Sequence, residues 1–368
     1  MGSKVIIMPD SFKGSMSSKT VAAILGAQAE KHGFTPIELP VADGGEGSID
    51  CILNILGGKK ITMMVRGPEG KPIEAFYGIT PDGTAIIEIA ESSGITKQEK
   101  LHPMTADTYG FGELIHDALD RGYRKFLLCL GGSATTDCGL GMAAALGTRF
   151  YDVKGNEIQP CGEKLSDIAG IDISGLEPKI FDASFKVMSD VENPLYGEKG
   201  AAYIFSPQKG ATETEVKLLD EGLRHVSTIM RDATGVDFEG LKGAGAAGGS
   251  GYGCAAFLKA TITSGIHAML DLYDFDSKAS GCDFIITGEG KLDSQSLMGK
   301  VLSGIKSRAG DKRIISFCGC LKADEEELKK QNITAVEIGK DIPLEESIKN
   351  GERYLFKAAE RFFENMEG

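Results

Sequence analysis

One local pattern occurs four times in this chain: an apolar run, then a glycine-rich polar loop, then a helical pattern. The apolar runs cover residues 5–8, 37–42, 126–130 and 284–287, and the loops after them cover residues 9–15, 43–47, 131–137 and 288–293. Helical patterns follow over residues 18–32, 49–56, 140–146 and 296–308; Ser17 or Ser18 caps the first, and Gly33 ends it. This alternation is typical of a parallel β-sheet covered by helices.

Two further groups of apolar runs complete the predicted architecture. The apolar runs 313–317 and 334–338 are expected to pair with the first two strands, whereas the short runs 61–65, 73–79 and 85–90 are separated by turns and predict an antiparallel meander. We therefore predict an α/β protein of two domains. Residues 1–60 plus 270–368 form a discontinuous Rossmann-like or flavodoxin-like parallel-sheet domain, and residues 61–269 form an inserted mixed α/β domain.

The charge and the cysteines exclude several classes of protein. A net charge of −13 and an isoelectric point near 5.0 argue against a nucleic-acid or anionic-membrane partner, because such binding needs clustered Lys and Arg. No targeting signal and no apolar run near the roughly 20 residues of a membrane span is present, so we expect a cytoplasmic protein, as a monomer or a homodimer. The eight cysteines form neither a zinc pattern nor a disulfide framework and are expected to be reduced.

The four loops are the candidate binding elements. Each would lie between the carboxyl end of a strand and the amino end of a helix, where unpaired N–H groups favour anions and where open sheets bind ligands. Glycine allows the backbone to approach a phosphate group closely. An acidic protein could therefore hold a polyphosphate locally, without a net positive charge.

The polar residues of the loops indicate which ligand they would hold. Lysines and carboxylates occur together: Asp10, Ser11 and Lys13 in the first loop, Asp43 and Glu46 in the second, Ser133, Thr135 and Asp137 in the third, and Glu289, Lys291 and Asp293 in the fourth. Carboxylates beside phosphate are costly unless a divalent cation separates them, and Mg²⁺ commonly takes one or two carboxylates together with phosphate oxygens. The composition therefore favours a magnesium–nucleotide complex.

Two more segments add candidate ligands. Asp190 and Asn193 follow the apolar run 185–188, and an acid with an amide at a strand end can ligate Mg²⁺. The segment Ser206–Gly210 contributes Lys209, although turn chemistry alone also explains its proline and glycine.

Other nucleotide-binding patterns are absent or lack their context. No Walker-type phosphate loop and no protein-kinase motif set occurs. Gly243, Gly245 and Gly248 match the dinucleotide fingerprint, but residues 235–242 before them do not have the pattern of a strand. We interpret residues 243–253 as a flexible or tightly packed turn near a ligand. A dinucleotide-dependent hydroxy-acid oxidoreductase and a non-catalytic nucleotide sensor stay open as alternatives.

Seven segments in order along the chain resemble one family. They are PDSFKGS at 9–15, PVADGGEG at 40–47, GGSAT at 131–135, DVENPL at 190–195, PQKGA at 207–211, the glycine-rich residues 243–249 and TGEG at 287–290. Together they resemble the bacterial-type glycerate kinases (glycerate 2-kinase, type 1). The sequence departs from the family pattern at Thr136 and Cys138 and at Lys291, where arginine is frequent.

The resemblance implies ATP and Mg²⁺ as cofactors, D-glycerate as the phosphate acceptor, 2-phosphoglycerate as the product, and a two-domain α/β fold with one flavodoxin-like domain. Beside it, physical reasoning assigns candidate roles. The catalytic candidates are Asp190, Asp43 and Lys13, and the metal candidates are Asp190 and Asp293. The nucleotide-binding candidates are Gly131, Gly132, Ser133, Thr135, Gly288, Glu289, Gly290 and Lys291. The substrate-binding candidates are Asp10, Ser11, Glu46, Arg66, Asn193 and Lys209.

Overall fold

A computed structural model describes residues 3–41, 44–237, 240–297, 301–340 and 342–367. The chain divides into two compact units, which we call unit one (Met1–Ala42 with Ile266–Gly368) and unit two (Asp43–Gly265). Among the described residues, no helix is long and apolar enough to cross a membrane. No disulfide bond links any of the eight cysteines in the part of the chain that the structure describes.

The described residues form thirteen strands and fourteen α-helices. The strands are β1 (Lys4–Ile7), β2 (Thr35–Glu38), β3 (Lys59–Arg66), β4 (Pro72–Ile79), β5 (Thr84–Glu88), β6 (Lys125–Cys129), β7 (Arg149–Tyr151), β8 (Gly170–Asp172), β9 (Ser184–Met188), β10 (Thr261–Thr263), β11 (Phe284–Leu292), β12 (Arg313–Leu321) and β13 (Ile333–Glu337). The helices are α1 (Ser18–Lys31), α2 (Ser48–Leu56), α3 (Ile89–Ser93), α4 (Tyr109–Asp120), α5 (Leu140–Ala145), α6 (Ala201–Phe205), α7 (Glu213–Thr234), α8 (Ala246–Leu258), α9 (Gly265–Leu272), α10 (Phe275–Ser280), α11 (Val301–Arg308), α12 (Glu325–Lys330), α13 (Leu344–Lys349) and α14 (Gly351–Glu367).

Unit one is built on a parallel five-stranded sheet in the order β13-β12-β11-β1-β2. Val5, Ile6 and Ile7 of the inner strand β1 are fully buried, as is typical of parallel strands covered on both faces by helices. The two late apolar runs lie in one sheet with the first two strands, but the expected pairing is wrong, because β12 pairs with β11 and β13 and neither late strand pairs with β1 or β2. The helix α1 begins after Ser17, whose hydroxyl accepts a hydrogen bond from the N–H of Thr20 (3.1 Å), as one of the two predicted caps.

The fourth predicted loop is wrong, because residues 288–292 continue the strand β11. Glu289 pairs with Cys318 and Lys291 pairs with Cys320 of β12. The glycines serve close approach rather than a turn: a Cβ on Gly288 would lie 3.1 Å from the ring of Phe12. Two other predicted elements differ in extent. The strand β2 ends at residue 38, and the helical pattern over 296–308 becomes a short 3₁₀ turn, Ser294–Leu297, followed by α11, with residues 298–300 outside the described ones.

Unit two contains a mixed six-stranded sheet in the order β10-β9-β6-β5-β4-β3. Strands β3, β4 and β5 are antiparallel neighbours, which confirms the meander, and β5, β6, β9 and β10 are parallel. The helix α2 packs on the meander, since a Cβ on Gly78 would lie 2.8 Å from Ile49. Residues 43–60, which the sequence analysis assigned to the discontinuous domain, therefore lie with unit two.

Candidate active site

The loop of residues 131–139, which we call the 131–139 loop, joins β6 to α5 in unit two. Neighbouring segments hold its backbone on several sides. The N–H of Gly131 donates to the carbonyl of Gly44 (3.0 Å), and that of Ala134 donates to Ser93 (2.9 Å). The N–H of Cys138 donates to the carbonyl of Gly248 (3.1 Å). The loop is thus fixed by parts of the chain that are far apart in sequence.

The second and third predicted loops meet where Gly131 lies against Gly44 and Gly45. A Cβ on Gly131 would lie 2.6 Å from the Cα of Gly45, so only glycine permits this approach. Gly44 has a positive φ of 79° and lies against Met188, the last residue of β9. Glu46 is exposed on the same loop, whereas the predicted catalytic Asp43 lies outside the described residues.

Asp137 anchors the 131–139 loop from inside. Its carboxylate is fully buried and accepts four hydrogen bonds, from the N–H and hydroxyl of Thr108 (2.8 and 2.7 Å) and from the N–H groups of Gly139 and Gly141 (3.2 and 3.1 Å). Burial raises the pKa of Asp137, and these donors oppose that rise. The N–H groups at the amino end of α5 thus donate to Asp137. Its carboxylate occupies the place where the sequence predicts an anionic ligand.

Glu88 does the same at the amino end of α2. It ends β5, is 1% exposed, and accepts hydrogen bonds from the N–H groups of Gly47 (3.1 Å) and Ile49 (2.6 Å). Burial raises the pKa of Glu88 to about 7. The expectation that the amino ends of α2 and α5 bind a phosphate therefore has to be revised, since a carboxylate of the chain occupies each of them. Donors for a ligand must come from the loop backbones and from side chains.

A buried lysine lies against the 131–139 loop. Lys209 is 2% exposed, and its ammonium donates to the hydroxyl of Ser133 (3.0 Å) and to the carbonyl of Thr135 (2.6 Å). Burial lowers the pKa of Lys209 to about 7, and the negative charge of Asp137 acts in the opposite direction. The structure thus brings together three residues that the sequence analysis placed in the site.

Asp190 and Asn193 follow β9 in unit two, as predicted for a strand end. Asp190 is exposed, and its Oδ1 accepts a hydrogen bond from the N–H of Gly265 (2.8 Å). Asn193 braces the chain: its amide donates to the carbonyl of Lys199 (2.8 Å), and its own carbonyl accepts from the N–H of Gly245 (3.0 Å). Of the two, Asp190 has the geometry of a residue that can reach a ligand.

Arg66, the predicted carboxylate contact, is the last residue of β3. Its guanidinium pairs with Asp107 (2.8 Å) and lies over the ring of Tyr109, 5.2 Å from the ring centroid. Asp107 is 2% exposed, and burial raises its pKa to about 7. The residue after Asp107 is Thr108, which donates a hydrogen bond to Asp137. The Arg66–Asp107 ion pair is therefore next in sequence to a residue that holds the 131–139 loop.

In unit one the structure groups the remaining predicted residues around β1 and β11. The N–H of Asp10 donates to the carbonyl of Gly288 (2.8 Å), and the N–H of Ser11 donates to the carboxylate of Asp10 (2.6 Å). Lys13 is exposed, and a Cβ on Gly290 would lie 3.5 Å from its backbone nitrogen. The first loop therefore packs directly on the glycines of β11.

Two of the predicted ligands in unit one are partners of each other. Lys291 and Asp293 form an ion pair of 2.9 Å, and Glu289 accepts a hydrogen bond from the hydroxyl of Ser296 (2.6 Å). Asp293 and Asp190, the two predicted metal ligands, belong to different units.

The glycine-rich segment 243–253 lies against residues 135–138 of the 131–139 loop. The helix α7 precedes it rather than a strand, and the glycines pack against the 131–139 loop. Gly248 has a positive φ of 66°, and a Cβ there would collide with the carbonyl oxygen of Thr135. The segment is thus tightly packed, as expected, but most of it is the first part of α8 rather than a turn, with non-helical backbone at Ala247, Gly248 and Gly249. The helix α7 before it also removes the structural context of a dinucleotide site. A cavity of about 310 Å³ lies beside this segment, lined by residues that include Pro194, Leu195 and Leu241.

One histidine cluster was not foreseen. His116 lies with Asp120 and Glu177, their ligand atoms within 4.8 Å of one another. However, the ammonium of Lys179 already lies 2.7 Å from Asp120 and 3.6 Å from Glu177. A lysine therefore provides the positive charge in this cluster.

Glu88 and Asp107 are not among the site residues predicted from the sequence, and Asp137 is predicted there without its role. Glu88 is an acid at the end of an apolar run in which every residue of β5 is buried, and that contrast is the signal that could have marked it. No comparable signal marks Asp107, because its partners Arg66 and Tyr109 are identified only by the fold.

The parallel sheet, the mixed α/β unit and the strand-end loops with a buried lysine and carboxylates are typical of an α/β enzyme that binds its ligands at the carboxyl ends of its strands. The protein-family model described as "Glycerate kinase family" matches residues 5–367 of the chain. The chain is 39% identical to a glycerate kinase of Bacillus subtilis (strain 168), over 97% of this chain and 96% of that relative. It is 41% identical to a glycerate 2-kinase of Escherichia coli (strain K12), over 90% of this chain and 89% of that one.

The fold agrees with these relatives. A crystal structure described as a glycerate kinase 2 from Salmonella typhimurium LT2 superposes with a TM-score of 0.85 at 34% identity, covering 100% of this chain and 99% of that one. The chain belongs to the glycerate kinase family. The resemblance drawn from the seven motifs is thereby confirmed, and the oxidoreductase alternative is not supported.

Proposed function

We propose that this kinase transfers the terminal phosphoryl group of ATP to the 2-hydroxyl of D-glycerate, giving 2-phosphoglycerate and ADP. Membership of the glycerate kinase family supports the acceptor, and the relative from Escherichia coli named glycerate 2-kinase supports the position. The observation that carries the proposal is the pre-organised 131–139 loop with the ammonium of Lys209 against it. Phosphoryl transfer requires mainly alignment and charge neutralisation, and such a loop supplies both.

Within this proposal the backbone of residues 131–133 holds phosphate oxygens. Gly131 is half-buried and Gly132 is exposed, so a ligand can approach this part of the loop. Lys13 and Lys291, both exposed, are proposed phosphate contacts of unit one, together with the backbone of Gly288 and Gly290. Asp10, Ser11, Glu46, Arg66 and Asn193 remain proposed contacts of glycerate.

The residues present fit a magnesium ion. Mg²⁺ prefers carboxylate oxygens combined with phosphate and water, and Asp190 offers an exposed carboxylate at a strand end. We propose Asp190 as a ligand, with Asp293 as the second candidate. When bound, the ion would neutralise charge on the phosphate groups. Asp190 or Asp43 would accept the proton of the 2-hydroxyl.

The product assay tests the function directly. The purified protein is incubated with D-glycerate, ATP and Mg²⁺, and product is passed to enolase with or without a phosphoglycerate mutase. Formation of ADP together with enolase turnover that needs no mutase is expected. Enolase turnover only with the mutase would assign the 3-hydroxyl instead, and no ADP with D-glycerate, L-glycerate, lactate or tartronate would contradict the proposal. Chelation of divalent cations is expected to abolish activity, and added Mg²⁺ to restore it.

A substitution tests the role of Asp190. The change Asp190→Asn is expected to lower kcat by at least about tenfold while the fold persists, because removal of a base or metal ligand commonly costs a factor of 10² or more. Asp182→Asn is the matched control, since Asp182 is also an exposed aspartate of unit two. Rates equal to those of the control would remove Asp190 from the site.

A further inference from the structure

Lys209 is a cation held inside unit two, and its position is unusual for a residue that binds substrate. A buried ammonium is costly unless its N–H groups find acceptors. Here two acceptors come from the 131–139 loop itself, the hydroxyl of Ser133 and the carbonyl of Thr135. With 2% of its surface exposed, Lys209 contacts the loop rather than the solvent.

The turn that carries Lys209 is joined to the loop a second time. The hydroxyls of Ser206 and Thr136 lie 3.0 Å apart, and the N–H of Lys209 donates to the carbonyl of Ser206 (3.0 Å). Ser206 and Lys209 together thus contact residues 133, 135 and 136. These contacts fix the part of the loop that follows the two glycines.

The loop presents different residues to the solvent and to Lys209. Gly132 is exposed, with a positive φ of 78°, whereas Ser133 is 5% exposed and Thr135 is fully buried. The ammonium therefore touches the buried residues of the loop, and a ligand would meet the exposed ones. The hydroxyl oxygen of Thr135 is buried with no hydrogen-bond partner among the described residues, and the ammonium of Lys209 contacts the carbonyl of the same residue.

We propose that Lys209 is a positioning residue: it fixes residues 133–136 and places a positive charge behind the loop, so that Gly131 and Gly132 receive the nucleotide phosphates in one geometry. This inference rests on the proposed function. It replaces the direct substrate contact expected for Lys209 from the sequence with action through the loop.

The test compares Lys209→Met with the wild-type protein. Methionine has a similar length and no charge, so it removes the ammonium with little change in volume. We expect kcat/KM for ATP to fall by about 10- to 100-fold, as a shift of about 1 Å in a positioned group can cost 10²-fold. The KM for glycerate should change little, and the variant should be at least as stable as the wild type near neutral pH, because it no longer buries an amine. Lys217→Met is the matched control, because Lys217 is an exposed lysine of α7 that pairs with Glu213, and it should behave as wild type.

A second variant separates positioning from direct contact. Ser133→Ala removes one acceptor of Lys209 from the loop. If Lys209 acts through the loop, Ser133→Ala combined with Lys209→Met should lose no more activity than Lys209→Met alone. Losses that multiply would instead support a direct contact between Lys209 and the substrate and overturn the proposal.

A ligand-free measurement keeps the inference independent of turnover. Hydrogen exchange of the amides of residues 133–136 should be faster in Lys209→Met, and in Ser133→Ala if the methionine variant does not fold, than in Lys217→Met. Unchanged exchange together with unchanged kcat/KM would overturn the proposal. If the wild-type protein neither binds ADP in a calorimetric titration nor phosphorylates glycerate, the proposed function fails, while the exchange comparison still decides whether Lys209 positions the loop.

Discussion

At the scale of single residues, the amine of Lys209 couples folding to pH. Its pKa is lowered from 10.5 to about 7 by burial, so between these pH values the unfolded chain binds more protons than the native one. The free energy of unfolding therefore contains a contribution that rises with pH across this window, and the cost of burying the amine is present in full below it.

Comparison of Lys209→Met with the wild-type protein should isolate this contribution. We expect the difference in free energy of unfolding, Lys209→Met minus wild type, to be largest at and below pH 7, where burial of the charged amine costs most. This difference should decrease as the pH approaches about 10, because the native amine of the wild type is then neutral. Urea unfolding at successive pH values measures it, with Lys217→Met as the control. Parallel stability curves for Lys209→Met and wild type would contradict a lowered pKa.

Asp137 gives a second residue-scale prediction. Its carboxylate accepts four hydrogen bonds, and an asparagine amide would turn an N–H group toward donors that need an acceptor. We expect Asp137→Asn to destabilise the protein by about 2–4 kcal/mol, because each buried donor left unpaired costs about 1–3 kcal/mol. Urea unfolding checks the value. Asp232→Asn, whose side chain is 70% exposed, is the control and should change stability little.

At the candidate site, the sequence predicts some of the residues that lie together but not how they contact one another. Ser133, Thr135 and Lys209 were all named from residue type and loop position, and the structure brings them into contact. What could not be predicted is that Lys209 faces the buried side of the loop, since this depends on how residues 206–210 pack against residues 133–136. The sequence places these segments about 70 residues apart.

At the scale of elements, the contact between α8 and the 131–139 loop leads to a third prediction. Gly248 and Gly235 both have positive φ, 66° and 73°, but a Cβ on Gly248 would collide with Thr135, and a Cβ on Gly235 would meet nothing within 4 Å. Both changes to alanine cause backbone strain of about 1 kcal/mol. Only Gly248→Ala should also displace the loop.

We therefore expect Gly248→Ala to lower both the melting temperature and kcat, and Gly235→Ala to lower the melting temperature slightly with kcat unchanged. Thermal unfolding and steady-state kinetics on the pair measure the difference. Equal effects of the two substitutions would show that the approach of α8 to Thr135 is not needed for the loop geometry.

The elements also show where a pattern stops being informative. Apolar runs correctly predicted β1, β11 and β12, most of whose residues are buried, whereas the partly exposed strand β2 covers Thr35–Glu38 rather than residues 37–42. The glycines at 288 and 290 predict a loop, yet the strand continues there because it stays paired with β12, and Phe12 and Lys13 pack on these glycines. Likewise, the sequence predicts that the amino ends of α2 and α5 are available to a ligand. Glu88, 39 residues from Ile49 in sequence, occupies the first, and only tertiary structure shows this.

At the scale of the whole molecule, three hydrophobic cores formed by described residues each lie within one unit. One core joins β1, α1, β11, β12 and α14 in unit one, with Val5, Leu25 and Phe363 among its buried residues. The other two lie in unit two, one around Leu128 and Phe111 and one around Leu219 and Phe257. None of these three cores mixes residues of both units, although unit one is made from the two ends of the chain.

This separation predicts that residues 43–265 fold when they are expressed alone. The segment is continuous and contains its two cores, the mixed sheet and the 131–139 loop with Lys209, so the interactions that define it do not require unit one. We expect one cooperative urea transition, dispersed amide resonances, and the same stabilisation by Lys209→Met near neutral pH as in the full chain. Phosphorylation of glycerate should be absent, because the fragment lacks Lys13 and the loop packed on β11. A fragment without cooperative unfolding would mean that unit two depends on unit one for its stability, and glycerate kinase activity in the fragment would exclude a catalytic role for unit one.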